Sequence, residues 1–393
     1  MDRRPPEDLS DHPHRRHQWQ GLDRGDARCG PSRSRLSHRP VYLAAPGEFS
    51  RTDEGQRAAD LEGIGSALCR PAPAHPGKKK LSFFELVTAL ALDHFARQEV
   101  DIAVIETGLG GRLDATNVLQ PILTVTTDIS RDHVEILGSS IRKIAWEKAG
   151  IIKPDVPHLI GTLPPEAERV IRDVCKKQHA PLFRVRKSRM QIDGKRLQLS
   201  YHTDRFRVER LAPSLPGSHQ LRNLALVLEA CTIVRDRGFG RVSKKAIVSG
   251  VRQIDWPGRF QVIRNNGSPT LVLDVAHNAR GMEAFVDSFE RVFPGRRATV
   301  IVGFVKRKPH QAMFDSLSRI AHSYALVPLS NKRTIDMAEM MASLKWRGID
   351  RQRFGSVRTA YNRVLKNAEP DDIIIVVGSH YLVGEFLTLI GWT

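Results

Sequence analysis

Residues 104–117, Val-Ile-Glu-Thr-Gly-Leu-Gly-Gly-Arg-Leu-Asp-Ala-Thr-Asn, restrict the possible folds more than any other stretch. The run Asp101–Ile105 leading into them predicts a short, buried parallel strand. Glu106 stands where that strand would end, and Gly108, Gly110 and Gly111 follow. Open α/β sheets bind ligands beyond the carboxyl ends of their strands. An acid at that edge, beside glycines that admit close backbone approach, suits a hard cation and a phosphate. A plain strand end with a glycine-rich turn would give the same residues, so the rest of the chain has to decide.

The rest alternates strand and helix patterns from Leu81 onward, which sets the class as α/β. Ser82 and Glu85 form a capping-box pattern ahead of a helical run through residue 98. Strands are predicted at 122–126 and 156–161, and helices at 140–150, 164–179 and 220–237. Phe183 to Val208 reads as an antiparallel insertion turning at Asp193-Gly194. Near Trp256-Pro257-Gly258 the alternation restarts, with strands at 270–275, 298–304, 323–327 and 372–378. Helices are expected there at 281–292, 310–321, 337–345 and 358–367. The predicted organisation is therefore an arm over 1–80, a first α/β domain over 81–256 and a second over 257–393.

The arm differs in texture. It holds 9 of the 23 prolines, and Leu, Ile, Val and Phe together number 9 of its 80 residues. Such a segment cannot bury enough apolar surface to offset its ordering entropy, so disorder is expected. The whole chain has 61 Lys+Arg against 43 Asp+Glu, a formal charge of +18. That favours anionic ligands. Aromatic content of 6% and the absence of an interleaved basic-aromatic stripe argue against single-strand nucleic-acid binding. Cys29, Cys69, Cys175 and Cys231 form no CxxC pair, which fits a reducing cytoplasm. No apolar run reaches the ~18 residues of a membrane span, and the N-terminus has no signal-peptide core.

Four more clusters carry possible chemistry. Asp132-His133 follows a strand, so His133 could share a sheet edge with Glu106. Lys148 sits in WEKAG. His219, Gln220 and Asn223 sit in HQLRN at a helix start. Asp274, His277 and Asn278 sit in LDVAHN at a strand end. Singly, each reads as well as a solvated histidine, a surface lysine or a helix cap.

Taken in order, SFFE, VIETGLGGRLDATN, DH, WEKAGI, HQLRN, WPGR, LDVAHN and GSHYLVGE resemble the folylpolyglutamate synthase/dihydrofolate synthase family of Mur-type ATP-dependent ligases. The likeness runs from about Leu81 to the C-terminus. It implies a P-loop-type Mur ligase central domain, incomplete at its start, followed by a Rossmann-like Mur ligase C-terminal domain. It implies ATP-dependent addition of L-glutamate to dihydropteroate or folates through an acyl phosphate, in a cytoplasmic monomer with no nucleic-acid or membrane partner. Residue by residue, it makes Glu106 and His133 ligands of Mg²⁺ and matches Lys148 to a lysine carbamylated in the family. Catalysis is thereby assigned to Lys148 and His133. Asn223, Arg259 and Asp274 match ATP-holding positions, with His277 near the same interface. Ser82, Phe83, Phe84 and Glu85, with Leu113, Asp114 and Ala115, match pterin-binding segments; either phenylalanine could instead be core. ATP ligands on both domains imply closure between them.

The chain departs from the family at its start. A GTNGKGS-type phosphate loop and a TSPH segment are absent, and loops of that type cradle phosphates. The codons ATC GCC GGC ACC AAT GGC AAG GGC TCG AC encode Ile-Ala-Gly-Thr-Asn-Gly-Lys-Gly-Ser. Without their first two nucleotides they read as Arg15 to Asp23 of this chain. The same shift turns a coding sequence for Leu-Tyr-Thr-Ser-Pro-His-Leu-Val-Asn-Phe into Val41 to Phe49. Residues from about 12 to between 70 and 80 are therefore expected to be an out-of-frame translation of a ligase start. Other readings are a cell-wall Mur ligase and a non-catalytic folate-binding remnant. A nucleic-acid role for the basic arm ranks below both.

Overall fold

A computed structural model describes residues 81–392, apart from 132, 332 and 345–347, together with the strand β1 (Tyr42–Leu43). The expected disorder and frame shift of the arm lie outside the described residues.

The first α/β part opens with α1 (Phe83–Arg97). The capping box is formed: the Ser82 hydroxyl accepts from the Glu85 amide at 3.2 Å, and the Glu85 carboxylate accepts from the Ser82 amide at 2.7 Å. Next comes β2 (Val104–Ile105), which pairs in parallel with β1. The run Asp101–Ile105 is thus not the buried strand its apolarity suggests. Only two residues pair, and Val104 remains 57% exposed, because β1 is its one strand neighbour among the described residues. A 3-10 turn (Ala115–Val118) leads to β3 (Thr124–Thr126), α2 (Val134–Leu137) and α3 (Ile141–Ala149). Then follow β4 (His158–Ile160), α4 (Pro165–Lys177) and β5 (Leu182–Arg184). Strands β3, β4 and β5 form one parallel sheet. The antiparallel insertion therefore starts later than expected, since residues 182–184 belong to this sheet.

The insertion comprises β6 (Met190–Asp193), β7 (Gln198–His202) and β8 (Arg207–Leu211). Its inward residues Leu199, Tyr201, Val208 and Leu211 pack on Leu221, Leu224 and Leu228 of α5 (Ser218–Asp236). Helix α6 (Lys244–Arg252) closes that core through Ile247 and Val251.

The second part is one six-stranded sheet. Its elements are β9 (Gln261–Ile263), β10 (Thr270–Asp274), α7 (Ala279–Val292), β11 (Ala298–Val302) and α8 (His310–Leu317). They continue with β12 (Ala321–Leu326), α9 (Met337–Ser343), β13 (Asp350–Arg353), α10 (Val357–Asn367), β14 (Ile373–Val377) and α11 (His380–Leu389). Strand order is β13-β12-β11-β14-β10-β9, parallel except for β9. Ile373 to Val377 are fully buried, as a central strand covered on both faces requires. Helices α7, α8 and α9 cover one face and α10 and α11 the other. Neighbouring strands β10 and β14 thus send their following helices to opposite faces. Such a switch point, beyond the carboxyl ends of the strands, is where α/β sheets take ligands.

Candidate active site

The glycine loop is fixed by its own side chains. Asp114 accepts from the amides of Gly108 (2.8 Å) and Leu109 (2.9 Å) through one oxygen. Its other oxygen accepts from the Thr116 amide (3.0 Å) and hydroxyl (2.6 Å). The loop is also joined to the end of α3. The Arg112 amide donates to the Glu147 carbonyl at 2.8 Å, and the two side chains pair at 2.9 Å. Asn117 donates to the carbonyls of Arg112 and Gly150. A Cβ on Gly150 would lie 2.3 Å from the Arg112 Cα, so the glycine of WEKAG exists to let this loop close.

Around the loop lies a cleft of about 780 Å³. Ser82, Phe84, Glu85, Glu106, Leu113, Asp114 and Ala115 all line it, so segments expected to serve one substrate do share one wall. Phe84 is seated against Gly108, where a Cβ would come within 2.5 Å of its ring. Phe83 lies elsewhere and is 65% exposed. Capping contacts with Ser82 hold the Glu85 carboxyl below its usual range. His133 is exposed, with a left-handed backbone (φ 49°), at the start of α2. Ile136 and Leu137 of that helix line the cleft, and His133 itself does not. Lys148 does not line the cleft. It is half-buried, and its ammonium has no hydrogen bond or ion pair among the described residues.

A second cluster lies beyond the carboxyl ends of β10 and β14. Asp274 accepts from the amides of Phe260 and Ala276, each at 2.8 Å. Burial raises its carboxyl to about 6, against those bonds and the nearby Arg259. The His277 ring nitrogen Nδ1 is 2.9 Å from the Val275 carbonyl, and its ring lies tilted at 48° against His380, centroids 5.1 Å apart. Burial, helped by His277 and Arg259, pushes His380 down to about 4. His219 of α5 is lowered by burial and by Arg222, Arg259 and Arg280. Arg259 thus acts on His219 from one part and on Asp274 and His380 from the other. Asn223 is one turn beyond His219, exposed, and donates to Gln220 at 3.0 Å. Arg280, at the start of α7, pairs with Asp128 after β3 at 2.5 Å and so joins the two parts.

His380 was not singled out from the sequence. Its signal was the GSH that follows β14, in the position matching LDVAHN after β10.

Residues 72–231 match the Mur ligase middle domain and residues 258–380 the Mur ligase glutamate ligase domain. The folylpolyglutamate synthase of Lacticaseibacillus casei is 30% identical over 317 residues, 78% of this chain and 71% of that protein. The chain belongs to the folylpolyglutamate synthase/dihydrofolate synthase family. A dihydrofolate synthase/folylpolyglutamate synthase of Bacillus subtilis is 38% identical over 245 residues, 61% of this chain but only 56% of that protein. Among solved structures, E. coli FolC in complex with DHPP and ADP superposes with a TM-score of 0.68 at 29% identity. That match covers 80% of this chain and 72% of FolC. The family resemblance read from the motifs is thus shown, together with its two Mur ligase domain types. No helix among the described residues is long and apolar enough to cross a membrane.

Proposed function

We propose that the chain is built for ATP-dependent addition of L-glutamate to a pterin-bearing acid, dihydropteroate or a folate. The observation that carries this is the single cleft formed by Ser82, Phe84, Glu106 and Leu113–Ala115. ATP phosphorylates the substrate carboxylate, and the glutamate amine displaces phosphate to leave an amide. Phe84 and Leu113 offer apolar surface to a flat ring, and Glu106 supplies a carboxylate on the same lining. Asn223, Arg259 and Asp274 hold the nucleotide, and His277 lies beside it; that E. coli FolC was solved with ADP supports the use of a nucleotide. Arg259 supplies charge against phosphate oxygens, a role worth most where water is excluded.

Glu106 and His133 are the residues that would hold Mg²⁺. The residue types fit, because a carboxylate and an imidazole, both exposed, are groups that a hard cation beside phosphates would take; Glu106 lines the cleft, and His133 starts the helix whose Ile136 and Leu137 line it. No cluster of three metal-binding side chains exists among the described residues. When bound, such an ion would supply positive charge against the transferred phosphoryl group. The family likeness makes Lys148 the residue to carry a carbamate; it is half-buried, with no partner among the described residues, and lies outside the cleft lining.

Without a GTNGKGS-type loop, little or no turnover is expected from this chain. Phosphate release with dihydropteroate and with tetrahydrofolate, each plus glutamate, tests this. Robust turnover would show that another segment replaces the loop. The intact cleft favours, as a second reading, a protein that binds folate without nucleotide. Sequencing the coding DNA upstream of the Leu81 codon tests the shifted frame; the proposal fails if no single-base change restores the loop.

A further inference from the structure

His277 and His380 occupy matching places on neighbouring strands. The parallel register sets Asp274 of β10 beside Val377 of β14, and each histidine lies three residues further on. The backbone is held at both places. After β10, the Asp274 carboxylate accepts from the Ala276 amide at 2.8 Å. Asn278 then caps α7 by accepting from the Gly281 amide, also at 2.8 Å. After β14, Gly378 turns with φ 129°, where a Cβ would lie 2.6 Å from the Gly303 carbonyl oxygen. Ser379 is buried and caps α11, its hydroxyl accepting from the Leu382 amide at 3.0 Å. His380 is thereby fixed as the first residue of α11.

What the backbone leaves open at His277 is the ring. Its Nδ1 lies 2.9 Å from the Val275 carbonyl. A carbonyl only accepts, so Nδ1 carries the hydrogen and, in the neutral ring, Nε2 is an acceptor. The His380 ring sits against it at a centroid distance of 5.1 Å, within the range of aromatic pairs. His380 is half-buried, and its ring makes no hydrogen bond among the described residues. Burial holds it near 4, so it brings no charge to the contact at neutral pH. We propose that His380 is a positioning residue for the ligase reaction. Its ring confines that of His277 to the orientation in which Nδ1 meets the Val275 carbonyl. Nε2 is then the nitrogen that accepts from an N–H or O–H donor of a substrate. The substrate role rests on the ligase reading above; the ring contact stands without it.

Nitrogen-15 spectra of the full chain, labelled at histidine, report which ring nitrogen carries the hydrogen at about pH 8, where unperturbed imidazoles are neutral. His277→Gln identifies the His277 signal by its loss. The Nδ1-protonated pattern is expected for His277 in the wild type. His380→Ala and His380→Gln remove the ring and should replace that pattern with Nε2 protonation or a mixture of both forms. His380→Phe keeps a ring but has no titrating nitrogen, and should restore the wild-type pattern. Far-UV circular dichroism matches the variants for folding. A wild type without the Nδ1-protonated pattern, its retention in either ringless variant, or its loss in a folded His380→Phe would each overturn the proposal. Calorimetry of the wild type with ATP reports separately on the ligase reading, so the two can fail independently.

Discussion

Arg280 and Asp128 face each other at 2.5 Å, one at the start of α7 and the other just after β3. The bond joins the two ligase parts next to the cluster of Arg259, His219 and His380. Both side chains are more than a third exposed, so water screens the pair. A double-mutant cycle with Asp128→Ala and Arg280→Ala, read by urea unfolding, should give a coupling of about 0.2–1 kcal/mol that fades in 1 M salt. Coupling well above that range, unchanged by salt, would mean the pair is a structural anchor.

His158 predicts a pH dependence of folding. It is fully buried, with ring nitrogens 2.8 Å from the Thr124 hydroxyl and 3.2 Å from the Thr126 hydroxyl. Burial lowers it from 6.5 to about 4. The folded state therefore binds the proton more weakly than the unfolded chain. Its contribution is whole above pH 6.5 and is lost as pH falls through 4, by about 3 kcal/mol. Unfolding midpoints of wild type and His158→Gln between pH 7 and 4 should diverge, with the smaller slope in the variant.

Gly108 sets the position of Phe84. An added Cβ meets the end of a rotatable ring, at 2.5 Å, and not backbone. Gly108→Ala should thus cost no more than about 1–3 kcal/mol of stability, yet lower pterin affinity at least tenfold by displacing the ring. Calorimetry with dihydropteroate beside thermal unfolding separates the two effects.

Lys148 should take up carbon dioxide. It is half-buried, and its ammonium has no partner among the described residues, which suits an amine open to modification. Labelled bicarbonate should give a carbamate carbon resonance that Lys148→Ala removes. A spectrum unchanged by the substitution would place the carbamate elsewhere.

Much of this site could be read before the structure. Ser82 and Glu85 announce their capping box, and Ser140 and Gly150 mark the two ends of α3. Local hydrogen bonding decides such features, so local sequence reveals them. The exposure of Val104 could not be read, because it depends on which strands lie beside β2. Strand β13 escaped notice because Asp350 to Arg353 form a polar edge strand with no buried face to impose a pattern. Asp114 reads as a substrate ligand, but its carboxylate is engaged by three loop donors and a hydroxyl. His380 gains meaning only once β14 lies beside β10 and brings it onto His277.

The central claim is that the cleft beside the glycine loop recognises a pterin. Calorimetric titration of the chain with dihydropteroate measures this most directly, with Phe84→Ala as comparison. The account predicts one-to-one binding that weakens at least tenfold in the variant. Absence of pterin binding, or binding untouched by the loss of Phe84, would contradict it.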